Sequence, residues 1–546
     1  KLFAADGQFV RAIGKPGEPS IGPYDPLHMN QPNGVAIDSQ GRIWVAEDDY
    51  HPKRISVWSR QGELLRAFYG PAEYGGGGVL DPRDPARFYY KGLEFRLDRD
   101  RGSDQLVRVF YRPDDLLQAH YGPHSPDTPL YPESRPGERY FTSCYTYNPT
   151  NGASAAFLWR DEPKAARLVA GIGSAHEWEV LKTEPFRKLW PEGLDPAGDR
   201  WKNPAVFSWS DLDGDARPQP DEVRLARASS GGVTIMNDLS AVFADFEGRV
   251  ARFSPTGFNS CAAPQYDLTA PQVLAEGAQR PASSGGDQAL FDPDGWTILT
   301  NAPQPYSNFG LGGVFRGQPR WSYPSAWPGL HASHEAAVPD RPGMVVGHTR
   351  LLGGWVRPRG DGGPMLCVNG NMGNMYLLTA DGLFVATLFH DIRLRPNWAM
   401  PAATRGMEVT DVSLHDENFW PSITQTAAGQ VYLVDGARAS LVRIDGLDTV
   451  CRLPEQTLTV TTGELAKARD WFAAAEAARQ TAAVRQPLRV AMLETAPTVD
   501  GNLDDWPAST AWAVIDRRGT RANFNSDSKP YDASAAVCVA GGRLLV

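Results

Sequence analysis

Short stretches of alternating apolar and polar residues, separated by glycine-containing turns, recur along most of the chain. The clearest example runs from Gln31 to Glu47 and continues from Arg54 to Phe68. A period of two places alternate side chains on opposite faces of a strand, and Asp-x-x-Gly turns join neighbouring antiparallel strands. These segments therefore predict four short strands. Weaker copies of the pattern span residues 235–253, 288–300, 365–389 and 423–447.

Repeated sheets of this size predict an all-β fold. Each four-stranded sheet exposes an apolar face on both sides, and radial stacking buries both faces while leaving only short edges. We therefore expect a β-propeller of six or seven blades over residues 1–455, with long inserted loops. The irregular spacing of the copies places those loops between the blades.

One copy resembles a known repeat. Its segments Pro-x-Gly-Val-Ala-Ile-Asp from Pro32, Gly-x-Ile-Trp-Val-Ala from Gly41 and Arg-Ile-x-Val-Trp from Arg54 are similar to the NHL repeat. The resemblance implies an NHL-like propeller. Members of that family include protein-interaction propellers and a peptide-amidating lyase that uses metal-bound histidines.

The pattern changes after Leu453. Residues 463–485 are rich in alanine and carry apolar residues at helical spacing, which predicts a helix within a linker over residues 456–487. Thr461 and Glu464 have the spacing of a capping box at its start, and Pro487 follows its end.

A different unit is expected from residue 488 to residue 546. Its segment Thr498-Val-Asp-Gly-x-Leu-x-Asp-Trp506 resembles the opening of the family 9 carbohydrate-binding β-sandwich. Residues 531–540 fit a following strand. The resemblance implies the first part of a truncated sandwich, and both ends of the chain are expected to lie inside strands.

Composition excludes several classes of function. A net charge of −10 gives no electrostatic reason to expect a nucleic-acid partner, because phosphate binding requires a concentrated basic surface. No apolar run approaches the length of a membrane span. The five cysteines are scattered without a Cys-x-x-Cys pair, which argues against a zinc ribbon or a dense disulfide scaffold.

One acidic segment has the spacing of a calcium loop. Oxygen donors stand at its positions one, three, five, seven, nine and twelve, supplied by Asp211, Asp213, Asp215, the Arg217 carbonyl, Gln219 and Glu222. Ala216 takes position six, where such loops usually have glycine. We expect a structural Ca²⁺ site between strands; an acidic solvated turn is the alternative.

Candidate catalytic side chains fall in two segments expected to be loops. They are His334, Glu335 and His348 in one segment, and His415, Asp416 and Glu417 in the other. Such groups can serve as a metal site or as acid–base groups if the fold brings them to a channel mouth. The alternative is hydrogen bonding within loops.

Six aromatic residues in proline- or glycine-bordered contexts are candidates for carbohydrate binding, because sugar rings stack on flat apolar faces. They are Trp321, Tyr323, Trp327, Trp355, Trp398 and Trp420. Core packing is the alternative for each of them.

These features favour a secreted or periplasmic propeller that binds polysaccharide or oligosaccharide through its funnel and its C-terminal sandwich. A polysaccharide lyase or glycoside hydrolase on the same propeller is the first alternative. A protein-interaction propeller is the second. Extracellular calcium, at about millimolar concentration, would suit the calcium loop.

Overall fold

Sheets of short antiparallel strands account for most of the regular structure in the computed structural model of this chain. The structure describes all residues except 49, 71–76, 114–123, 146–152, 277–286, 301–308, 325–337, 339–342, 346–349, 371, 395–403, 416–417, 437–439, 484–489, 499–501, 503, 508–512, 516–532 and 546.

The N-terminal part contains a hairpin and a four-stranded sheet. The hairpin strands are β1 (Leu2–Phe3) and β2 (Phe9–Arg11). β3 (Gly22–Pro23) belongs to the following sheet. Sheet 1 consists of β4 (Pro32–Ile37), β5 (Ile43–Glu47), β6 (Arg54–Trp58) and β7 (Leu64–Tyr69). These are the four strands predicted from the NHL-like segment.

The next two sheets have more strands than a four-stranded blade. Sheet 2 adds β3 to β8 (Val79–Leu80), β9 (Arg87–Tyr90), β10 (Leu93–Asp98) and β11 (Ser103–Val109). Sheet 3 contains β12 (Thr128–Leu130), β13 (Tyr140–Thr142), β14 (Ala155–Asp161), β15 (Ala166–Ser174), β16 (Val206–Ser210) and β17 (Val223–Ala226). Three 3-10 turns, Ala175–Glu177, Glu179–Lys182 and Phe186–Leu189, separate β15 from β16.

Sheets 4 and 5 have four strands each. Sheet 4 is β18 (Val233–Ile235), β19 (Ala241–Phe246), β20 (Arg249–Phe253) and β23 (Gln272–Glu276), with the hairpin β21 (Gly257–Phe258) and β22 (Pro264–Gln265) inserted. Sheet 5 is β24 (Ala289–Phe291), β25 (Trp296–Leu299), β26 (Phe309–Phe315) and β27 (Gln318–Pro324).

Sheets 6 and 7 complete the series. Sheet 6 is β28 (Arg350–Leu351), β29 (Met365–Asn369), β30 (Met375–Thr379) and β31 (Phe384–Leu388). Sheet 7 is β32 (Ser422–Gln425), β33 (Val431–Val434) and β34 (Leu441–Ile444), followed by a 3-10 turn at Leu447–Thr449.

The core lies between adjacent sheets, as expected from the alternating apolar pattern. Leu158 and Ile172 of sheet 3 share one buried cluster with Ile235 and Phe243 of sheet 4. Burial of apolar area stabilises each contact by roughly 25 cal/mol per Å². Successive sheets therefore hold one another through their faces, which is the packing of a β-propeller.

Sheet 7 packs directly against sheet 2. Ser422 Oγ donates to Gly78 O at 2.6 Å, and Arg99 Nη1 donates to Tyr432 Oη at 2.6 Å. The Arg99 guanidinium also lies 5.1 Å from the centre of the Tyr432 ring. The series of sheets therefore returns to its second member. The predicted fold class is confirmed, and the number of blades stays a prediction.

Sheet 1 lies outside this closing contact and packs beside sheet 2. The Tyr69 and Phe95 rings meet edge to face at 5.5 Å, and His51 Nε2 lies 3.1 Å from Ser125 Oγ. Its strand β4 is exposed along its whole length, including Val35 and Ile37.

The predicted helix is present as α1 (Thr462–Ala483). Glu464 N donates to Thr461 Oγ1 at 3.2 Å, and Thr461 N donates to Glu464 Oε2 at 2.8 Å. These reciprocal bonds form the predicted capping box. No helix among the described residues has the length and apolar character needed to span a membrane.

Short strands follow the helix. They are β35 (Ala491–Leu493), β36 (Ala513–Ile515), β37 (Ala533–Ala535), β38 (Cys538–Ala540) and β39 (Arg543–Leu545). β35 pairs in parallel with β38, which pairs antiparallel with β39. Thr498 N donates to Asp505 Oδ2 at 2.6 Å, so this acidic residue of the carbohydrate-binding-like segment closes a local turn. The carbohydrate-binding domain itself stays a prediction.

Candidate functional site

Buried polar side chains converge at one end of the sheets. Lys91 lies in the turn between β9 and β10, Asp127 directly precedes β12, and Arg350 begins β28. In each of these sheets, the antiparallel register places the residue at the end where the first strand of the sheet begins. We call Lys91, Asp127, Arg350, Asn369 and Asn418 the axial cluster; all five are buried.

Lys91 connects three sheets. Its Nζ lies 3.9 Å from Asp127 Oδ2 of the segment entering sheet 3, and 5.0 Å from the centre of the Trp420 ring, which precedes sheet 7. Lys91 has a left-handed backbone, with φ of 46°, and Gly92 follows it. This tight turn, closed by the Gly92 N to Pro126 O bond of 2.8 Å, fixes the point from which the ammonium extends.

Arg350 joins sheet 6 to sheet 3. Its Nη2 donates to Cys144 O at 3.2 Å. The neighbouring Leu351 N donates to Gln288 Oε1 at 2.9 Å, which links the same strand to sheet 5. Tyr145 Oη donates to Ile235 O of sheet 4 at 2.9 Å. The loop that carries Cys144 and Tyr145 therefore contacts several sheets at this end.

Asn369 and Asn418 complete the axial cluster. Asn369 is the antiparallel partner of Arg350, and its Nδ2 donates to Asn418 O at 2.9 Å. Neither the Nδ2 nor the Oδ1 of Asn418 has a hydrogen-bond partner among the described residues. A buried amide without partners costs roughly 1–3 kcal/mol, so its retention requires an explanation.

Burial dominates the electrostatics of the axial cluster. It lowers the pKa of Arg350 to about 10, although the nearby Asp127 carboxylate acts in the opposite direction. It raises the pKa of Cys144 to about 11. At neutral pH the guanidinium is therefore charged and the thiol is protonated.

The predicted catalytic residues mostly lie outside the described residues. These are His334, Glu335, His348, Asp416 and Glu417. His415 is described and exposed, three residues before Asn418. Their predicted meeting at a channel mouth therefore stays a prediction.

The described aromatic candidates pack between sheets. Trp321 Nε1 donates to Ala380 O at 2.9 Å, Tyr323 Oη donates to Gly382 O at 2.8 Å, and Trp355 Nε1 donates to Phe291 O at 3.1 Å. All three are half-buried, whereas Trp420 is 4% exposed. Sugar binding by these aromatic residues stays a prediction. Trp327 and Trp398 lie outside the described residues.

The acidic loop brings its three aspartates together. Asp211, Asp213 and Asp215 each place a carboxylate oxygen within 4.8 Å of the others. Ala216 has φ of 61°, so it adopts the left-handed conformation that glycine usually supplies at position six. The backbone therefore makes the sharp bend of a calcium loop at position six, although this position holds alanine.

The other predicted ligands are engaged in hydrogen bonds. Glu222 Oε1 accepts from Leu212 N at 2.6 Å, and its Oε2 accepts from Trp209 Nε1 at 2.9 Å. Gln219 Nε2 donates to Asp215 Oδ2 at 3.0 Å, and Arg217 N donates to Asp215 Oδ1 at 2.7 Å. Arg167 donates to Asp211, whose pKa is raised by burial. An all-oxygen donor set fits calcium, with Arg167 competing for one carboxylate oxygen.

Sequence reasoning missed the whole axial cluster. Each member stands alone beside an apolar strand, so no spacing within the sequence connects them. The only local signal is a charged residue at the end of a short apolar strand, such as Arg350 before Leu351. Their convergence depends on which sheets become neighbours.

One family match supports the fold class. The NHL repeat model matches residues 29–58. The chain is similar to BamB from Moraxella catarrhalis, with 13% identity, coverage of 75% of this chain and 83% of that chain, and a TM-score of 0.23. It is also similar to selenomethionine-substituted virginiamycin B lyase from Staphylococcus aureus, with 9% identity, coverage of 78% and 94%, and a TM-score of 0.25.

No curated protein matches the chain. The stacked sheets and the NHL match together define it as a β-propeller protein. Identities and TM-scores this low carry no argument about its activity.

Proposed function

We propose that this propeller binds a saccharide at the end of the sheets where the axial cluster lies. One observation carries the proposal: at this end of the sheets buried polar side chains contact one another between neighbouring sheets, Lys91 with Asp127 at 3.9 Å and Asn369 with Asn418 at 2.9 Å. Ligand sites are commonly formed by a few converging polar groups in an otherwise apolar surrounding. Hydroxyl groups of a sugar can donate to and accept from amide side chains such as Asn418.

A glycan array with the full chain tests this proposal. We expect binding to a defined class of saccharide. This binding should be lost in Asn418→Leu, which removes the amide C=O and NH₂ while keeping a similar side-chain volume. Asn33→Leu is the matched control, because Asn33 is exposed. Asn259→Leu is unsuitable, because Asn259 Nδ2 donates to Asp211 O of the acidic loop. Equal array signals for wild type and Asn418→Leu would place the sugar elsewhere.

Turnover separates a binder from an enzyme. The same saccharides are incubated with the protein while unsaturated products and new reducing ends are measured. Neither product should accumulate if the propeller only binds. Appearance of unsaturated ends would support the lyase alternative, and new reducing ends without unsaturation would support a hydrolase.

We also propose that the acidic loop binds a structural calcium ion. Calorimetric titration with CaCl₂ should give binding heat for wild type and little heat for Asp213→Ala. Asp221→Ala is the matched control, because Asp221 belongs to the same loop but occupies none of the ligand positions. Identical heats for wild type and Asp213→Ala would refute the site.

Location outside the cytosol follows as a proposal from the saccharide and calcium proposals. Fractionation of the source cells tests it. We expect the protein in the periplasm or the medium; recovery only with cytosolic markers would contradict export.

A further inference from the structure

Arg350 is a buried guanidinium that has few partners among the residues that the structure describes. It is 2% exposed, and Cys144 O is its one hydrogen-bond acceptor among the described residues. Its Nη1 has none. A guanidinium carries five N–H donors and keeps its charge at neutral pH, so burial without acceptors is unfavourable.

Arg54 shows what a structural arginine looks like in the same protein. It is also 2% exposed. Its Nε donates to Glu47 Oε2 at 2.9 Å, its Nη1 to Tyr24 Oη at 2.7 Å, and its Nη2 to the carbonyls of Pro26 and His28, both at 2.9 Å. The fold therefore supplies four acceptors to this buried guanidinium, whereas Arg350 has one among the described residues.

The described groups nearby do not supply the missing acceptor. The Asp127 carboxylate lies close enough for its charge to act on Arg350, but its Oδ2 is 3.9 Å from the Lys91 ammonium. Asn418, linked to the partner strand of Arg350 through Asn369, has an unpaired side-chain amide. The axial cluster thus combines a free guanidinium edge with a free amide donor.

A carboxylate matches these donors. Its two oxygens accept parallel N–H bonds from a guanidinium, and charge-assisted bonds of this kind are roughly twice as strong as neutral ones. A sugar hydroxyl offers one oxygen and no charge. We propose that the axial cluster takes an acidic sugar, a uronate, with its carboxylate on Arg350 and Asn418. This inference rests on the proposed saccharide site and names its ligand class.

Calorimetry with matched ligands tests the inference. The full chain is titrated with a galacturonate trimer and with the methyl ester of the same trimer, which has the same ring system without charge. We expect the ester to bind at least tenfold more weakly. Arg350→Met should weaken binding of the acid at least tenfold and change binding of the ester less than twofold. Arg350→Lys keeps the positive charge but lacks the parallel N–H donors of a guanidinium. Its affinity for the acid should lie between those of wild type and Arg350→Met.

Two controls keep the result interpretable. Arg101→Met removes an arginine whose side chain is 85% exposed, and it should bind the acid as wild type does. The thermal unfolding midpoint of each variant is measured, and Arg350→Met should unfold at or above the wild-type temperature, because it removes an unpaired buried charge.

The failures are distinguishable. Equal affinity for acid and ester, or an unchanged acid affinity in Arg350→Met, would overturn the uronate inference and leave the saccharide site standing. If neither trimer binds, free D-glucuronate is tested by thermal shift. A shift in wild type but not in Arg350→Met would retain the carboxylate site and reject the extended saccharide. No shift in either protein would overturn both proposals.

Discussion

Arg54 and Arg350 are equally buried but differ in what surrounds them, and this difference predicts that replacing Arg54 costs much more stability than replacing Arg350. In Arg54→Met, the fully buried Glu47 carboxylate loses its charged partner, which should cost about 3–5 kcal/mol of unfolding free energy. In Arg350→Met, no buried carboxylate in the described part of the chain loses an ion-pair partner, so the unfolding free energy should change by at most about 1 kcal/mol. Urea unfolding followed by tryptophan fluorescence measures both.

Equal losses in the two variants would contradict this comparison. They would mean that Arg350 has a stabilising partner equivalent to Glu47. The comparison needs no ligand, so it stands apart from the binding experiments.

Ala216 carries backbone strain at a single residue. Its φ of 61° costs a non-glycine residue roughly 1–2 kcal/mol. A glycine at this position avoids the steric cost but loses more conformational entropy on folding, so only part of this energy is regained. Ala216→Gly should therefore raise the unfolding free energy by about 1 kcal/mol. Ala197→Gly is the control, since Ala197 is exposed in a turn without a positive φ and its replacement should be destabilising. Destabilisation by both changes would show that position 216 is not strained.

The cysteines should react with thiol reagents in an order set by burial. Burial raises the pKa of Cys144 to about 11 and that of Cys367 to about 12, whereas Cys451 is exposed. At pH 8 only about one Cys144 in a thousand is a thiolate, and raising the pH toward 11 increases that share. DTNB should label the exposed Cys451 fastest and the half-buried Cys261 more slowly. The buried Cys144, Cys367 and Cys538 should react only after denaturation.

Cys451→Ser provides the control for the rapid phase, which it should abolish. Rapid labelling that survives in this variant would mean that a second thiol is accessible in the native protein.

Residue chemistry was predictable where spacing along the chain decides it. The aspartates of the acidic loop alternate within five positions, so a local bend suffices to bring them together. Lys91 and Asp127 meet only through the order of the sheets. Trp321 was also ambiguous, because an aromatic residue beside a turn serves equally well for stacking on a ligand and for packing on the next sheet.

At the scale of elements, the helix shows local prediction at its most reliable. The capping residues and the proline boundary lie within the segment itself, so the predicted bounds differ from α1 by at most two residues. Sheet 1 was equally predictable from the sequence, because short turns join all four of its strands. The six strands of sheet 3 were not anticipated, since a long segment with three 3-10 turns interrupts them.

The capping box should control local stability of α1. Thr461→Ala removes the side-chain acceptor for Glu464 N and should cost about 1 kcal/mol of local helix stability. Since most described side chains of α1 are exposed, tertiary packing should not mask this effect. Hydrogen exchange of the peptide covering the first turns should accelerate about fivefold. Thr410→Ala, an exposed threonine far along the chain from α1, should leave that peptide unchanged.

At the scale of the whole molecule, the contact between the last and second sheets joins residues 344 positions apart. Nothing in the local pattern of either strand identifies its partner. The sequence predicted that sheets would stack, because each has two apolar faces, but not that sheet 1 would lie outside the contact between sheets 2 and 7.

This closing contact should be a separable contribution to stability. Ser422→Ala removes the buried hydroxyl that donates to Gly78 O, and Thr424→Val removes the bond from Thr424 Oγ1 to Leu80 O at 3.3 Å. Each change should cost about 1 kcal/mol, and hydrogen exchange should increase in both β8 and β32. Ser322→Ala is the matched control, because Ser322 Oγ donates to Leu311 O within sheet 5. Faster exchange in β32 without any change in β8 would contradict direct coupling of the two sheets, since a shared contact must loosen both of its strands.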